Sequence, residues 1–69
     1  MNTTIDSKDQ NRINIFMAAA SQEQDAEQYG QDTGNYHMTA KLALYNMGIE
    51  AKHIALDMFK KEFNKDFVR

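Results

Sequence analysis

Residues 36–67 carry two apolar stripes, and no other feature restricts the fold as much. One stripe is Tyr36, Ala40, Ala43, Met47, Ala51, Ile54 and Met58, spaced by threes and fours. The other is Met38, Leu42, Tyr45, Ile49, Lys52, Leu56, Phe59 and Phe63, interrupted only by Lys52. At about 100° per residue the stripes lie on nearly opposite sides of one long helix. A helix at the edge of a globule needs one such stripe. Two stripes call for two partners, and the chain offers only one other helix-sized segment.

Size sharpens the demand. Sixty-nine residues make a single small helical domain, 1–69. A core of that size supplies at most about 3–5 kcal/mol unless a disulfide, a metal or a second subunit adds to it. Cysteine is absent, which excludes disulfides and thiolate zinc sites. A second subunit is then the simplest remedy. The net charge of −2 and pI near 5.5 make nucleic acid an unfavourable partner. The polar start, Met1 to Gln10, argues against a signal peptide, and no run approaches the ~18 apolar residues of a membrane span. A cytoplasmic location without membrane contact is expected.

Local signals divide the chain in two. Residues 1–6 read as a frayed N-terminus, and Ser7-Lys8-Asp9-Gln10 fits a capping box. A first helix is expected over about 8–29, with Ile13, Phe16, Met17 and Ala20 on one face and an almost wholly polar second half. Gly30 suits the left-handed residue that closes a helix, and Asp32, Thr33 and Asn35 are all credible caps for the next. Proline is absent and no strand-like alternation appears. The expected fold is all-α, a two-helix antiparallel hairpin (about 8–29 and 36–66) that dimerises into a helical bundle.

At 1.5 Å per residue the helices would span roughly 33 and roughly 46 Å, so the end of the second overhangs. The overhang holds Phe59, Phe63 and Phe67, a patch larger than monomers tolerate. Gly48 is the flaw in the second helix, at about 1 kcal/mol against alanine. Close helix approach or a mild bend is preferred there over a break. Residues 1–35 hold a charge of −4 and residues 36–69 a charge of +2. The two halves form solvated faces, or the acidic stretch 23–32 of one chain meets the basic tail 60–69 of another.

Two constellations invite chemistry. Glu50-Ala51-Lys52-His53 is a Glu-x-x-His pair, and Glu50 to Phe59 resembles the second metal-binding helix of rubrerythrin-type and encapsulated ferritin-like chains. That resemblance implies a metal-binding half-bundle completed by a second copy. By their spacing, however, Glu50, His53 and Asp57 fall between the stripes, facing water, with Asp57 placed to pair with Lys61. No metal or other cofactor is therefore expected. Leu44-Tyr45-Asn46-Met47-Gly48-Ile49, followed by Ile54, resembles a helix-turn-helix. The resemblance implies a DNA-binding regulator reading through Glu50, Lys52, His53 and Asp57. Against it, Leu44 fills the position that usually needs a small residue, and two acids lie among the reading residues.

No nucleophile motif with a base and an orienting acid is present, and Gly30 and Gly34 make no phosphate loop, so no catalytic residue is assigned and no enzyme is expected. His37 reads as a surface residue. The expected partners are a second copy of the chain and another protein. The expected interface is Leu42, Tyr45, Ile49, Leu56, Phe59, Phe63 and Phe67. The expected function is that of a small protein-binding modulator or inhibitor that occupies a partner's surface. Small proteins of this kind are frequent among phage and mobile-element products.

Overall fold

Asp6 starts the first helix. Its carboxylate accepts the Asp9 backbone N–H at 2.9 Å, so the cap falls one residue before the expected Ser7. Gln10, expected to reach back to the cap, instead donates to Asn14 at 3.2 Å. The computed structural model describes residues 5–68 and makes α1 of Ser7–Gln28. Residues 1–4 of the expected frayed start lie outside the described residues. Ile5 packs against the core, and Asp6 is fixed by its capping bond.

Gly30 closes α1 as its composition predicts. Its φ is +71°, and the N–H groups of Gly30 and Gln31 donate to the carbonyls of Glu27 and Ala26 at 3.2 and 2.8 Å. This pair of bonds is a Schellman closure. Of the three candidate caps for the next helix, Thr33 holds the N-cap position without a side-chain capping bond, and Asp32 just before it accepts from the Gly34 N–H at 2.9 Å. Helix α2 is Gly34–Tyr45.

The long second helix does not form. Helix α2 stops at Tyr45, Asn46 to Gly48 make a turn, and α3 is Ile49–Phe63. Gly48 is the N-cap of α3, with extended backbone (φ −68°, ψ 165°). The all-helical class stands, with three helices and no strand among the described residues. The two-helix hairpin is corrected to a three-helix arrangement. Its path is plain from three contacts. A Cβ on Gly48 would lie beside Asp9, the Phe59 and Phe16 rings are 6.0 Å apart, and Lys65 is 3.7 Å from Glu27. Helix α3 therefore runs in the same sense as α1 and opposite to α2.

The reason for the break is where it sends the phenylalanines. A continuous helix would carry Phe59 and Phe63 past the end of α1 into water. After the turn, Phe59 is buried against Phe16 and Phe63 packs on the same core. Burying a phenylalanine contributes about 1.5–3 kcal/mol, and this offsets helical hydrogen bonds that the turn gives up to water at about 0.5–1.5 kcal/mol each. The turn also lets the buried line change stripes. In α2 it follows Ala40, Ala43 and Leu44, Met47 continues it in the turn, and in α3 it follows Ala51, Ala55 and Phe59. Small residues dominate where α1 and α2 lie together: Ala19, Ala20, Ala40 and Ala43 are all buried. They let the backbones approach closely, and α1 and α2 share the most extensive helix contact.

Two glycines should respond differently to alanine. At Gly30 the positive φ makes alanine lose about 1–2 kcal/mol. At Gly48 the backbone allows alanine, but its methyl would sit 3.2 Å from Asp9 Oδ2, and Asp9 is itself held by Arg12 at 3.0 Å. Alanine is also a poor N-cap, so a loss of about 1 kcal/mol is expected in urea denaturation. An unchanged midpoint for Gly48→Ala would mean that Asp9 swings aside freely.

Candidate protein-binding surface

The outward side of α2 is apolar. Met38, Leu42 and Tyr45 recur at four and three, opposite the buried Ala40, Ala43 and Met47. They are 52%, 52% and 51% exposed. Just past the turn, Ile49 opens α3 at 76% exposure. The Lys41 ammonium lies 5.9 Å from the centre of the Tyr45 ring, so a cation borders the apolar strip. This face is the α2 half of the second stripe. The core of the chain closes without it.

The other residues expected at an interface behave differently. Phe59 is 2% exposed, buried by the chain itself. Leu56, Phe63 and Phe67 are partly buried against the same core. The phenylalanine overhang is thus corrected: α1, α2 and the tail cover these rings, and their number no longer calls for a second copy. The acidic and basic segments also meet within one chain, where Lys65 reaches Glu27 at 3.7 Å.

The tail after α3 is the feature that periodicity missed. Asn64 takes the left-handed conformation (φ 60°) and ends the helix, which had been expected to run to about 66. The chain then folds back and inserts Phe67. Its ring stands edge-on to Phe16 and Phe59, with centroids at 5.0 and 5.2 Å, and stacks on His37 at 5.1 Å. His37 is accordingly no plain surface residue. Its Nδ1 lies 3.0 Å from Glu23 Oε2, with both side chains largely shielded from water. One signal could have found this pair. Glu23 and His37 are each seven positions from Gly30, so a hairpin turning there brings them level.

Beside Phe67 lies a pocket of about 150 Å³, walled by Glu23, Gln24 and Glu27 of α1, His37 of α2 and the tail. Glu50 and His53 are elsewhere, both exposed on α3. No group of three or more histidine or acidic side chains suited to a metal gathers among the described residues. Asp57 and Lys61 form the anticipated i,i+4 pair at 3.1 Å. No helix among the described residues is long and apolar enough to cross a membrane.

Compared with family models, curated proteins and solved structures, the chain matches none.

Two truncations separate the chain's own core from a contact surface. Phe59→Ala should remove about 3–5 kcal/mol, close to everything a domain of this size has, and leave it mostly unfolded. Phe63→Ala, at a half-buried position, should remove about half as much. Thermal melts by circular dichroism at several concentrations decide the matter. A Phe59→Ala effect that grows on dilution would place that ring between copies instead.

Proposed function

We propose that the protein works by binding another protein through the outward face of α2, as a small modulator or inhibitor. One observation supports this reading above the rest: Met38, Leu42 and Tyr45 form a half-exposed apolar strip that the chain's own core does not use. Tyrosine and methionine suit such a role. Tyrosine offers a rigid apolar ring with a polar tip, and methionine adapts its packing to the partner. A second copy of the chain is the other occupant this face suits, since a self-complementary strip pairs with itself about a twofold axis.

A DNA-binding regulator is the second reading, favoured by the turn at Asn46 to Gly48 between α2 and α3. Glu50 and Asp57 on the exposed side of α3 weigh against phosphate contact. Salt-dependent duplex binding by the parent chain would favour this second reading.

The paired substitution Leu42→Gln and Tyr45→Gln tests the first reading. Both sites are half exposed and glutamine is a good helix former, so stability should change by no more than about 0.5 kcal/mol. Sedimentation over a concentration series and capture from a cell lysate should show the parent bound to itself or to a protein, and the variant bound to neither. A parent that stays monomeric and captures nothing, or a variant that captures as well as the parent, would overturn the proposal.

A further inference from the structure

The contact between the tail and the bundle has the form of a peptide in a groove. Residues 65–68 are not helical, and among the described residues no backbone hydrogen bond joins them to the helices. They are held by one aromatic anchor, Phe67, and by two exposed ion pairs, Lys65 with Glu27 at 3.7 Å and Lys60 with Asp66 at 3.6 Å. The receiving walls belong to the helices. Phe16 and Phe59 present their rings to Phe67, and His37, fixed by Glu23, stacks on its face. Helices and tail together line an open pocket of about 150 Å³ beside Phe67.

We propose that this groove is a recognition site for an extended peptide of a partner protein, with an aromatic side chain two positions after a lysine or arginine. The chain's own Lys65-Asp66-Phe67 is then the intramolecular competitor. The occupant is argued from the residue that already fits: a phenyl ring between Phe16, Phe59 and His37, and a cation toward Glu27 on the acidic flank of α1. This site is separate from the outward strip of α2, and either can fail without the other. A tethered competitor lowers the apparent affinity of an outside peptide by the fraction of time the groove is free. Weakening the tail must therefore strengthen binding in trans.

The probe is a fluorescent peptide of residues 64–69, titrated to millimolar concentration against the full chain and its full-length Phe67→Ala variant. Binding is followed by anisotropy and by the imidazole proton shifts of His37. The variant is expected to bind at least about tenfold more tightly than the parent, with the His37 resonances moving on saturation. Adding His37→Ala to the variant should abolish the gain. Should Phe67→Ala lose its helical circular dichroism, the same titration is read on Lys65→Glu. That substitution keeps Phe67 and loosens the tail by setting a carboxylate beside Glu27, and a gain over the parent is again expected. Equal affinity for parent and folded variant, no binding at millimolar peptide, or binding that survives His37→Ala would each overturn the proposal.

Discussion

Phe16 is the contact on which the rest of the molecule depends. Its side chain is wholly buried, and it meets Phe59 from α3 and Phe67 from the tail. The first contact needs the chain to reverse after α2, and the second needs it to turn again after α3. The turn at Asn46 to Gly48 brings α3 back along α1, and the left-handed Asn64 brings the tail across its end. One buried ring on the first helix thus gives two distant segments a reason to return. A domain with so few large core residues has little else to fix its topology, because seven of the twelve buried apolar residues among those described are alanine.

The alanine contact and the aromatic contact have different tasks. Ala19, Ala20, Ala40 and Ala43 bring two helices close but bury little apolar area each. The phenylalanines bury much more and lie toward the other side of α1, where α3 packs. Helices α2 and α3 touch each other least, so α1 is the element that joins them. This division leaves α2 with its back to water. Among the described residues nothing covers Met38, Leu42 and Tyr45, which is why that strip stays open to water.

The polar groups follow the same layout. Glu23 and His37 bridge α1 and α2 at the end where the tail returns, and the His37 ring becomes one wall of the Phe67 site. Asp9, near the other end of α1, lies against Gly48 at the start of α3. An acid there suits the positive end of the α3 dipole. Lys65 and Glu27 show how the charge asymmetry between the two halves is used, within one chain and at the surface.

What the sequence determined by itself is what local chemistry determines. The helical class, the glycine stop at residue 30, the start of α2 near Asp32 and the two faces of α2 all depend on interactions within a few residues, and each is visible as a pattern. The stripe Met38, Leu42 and Tyr45 was legible as a surface for the same reason: its spacing is fixed by the helix it sits on. The break at Gly48 was not legible, because a glycine in an otherwise periodic helix reads as a bend or a close approach before it reads as a turn. Only the gain from bringing Phe59 and Phe67 to Phe16 decides among them, and that gain exists between residues more than forty positions apart. The stripes demand a second chain only if they lie on one straight helix. Once tertiary packing folded that helix in two, the phenylalanines found their partners inside the molecule, and the second stripe was left facing outward from Met38 to Ile49.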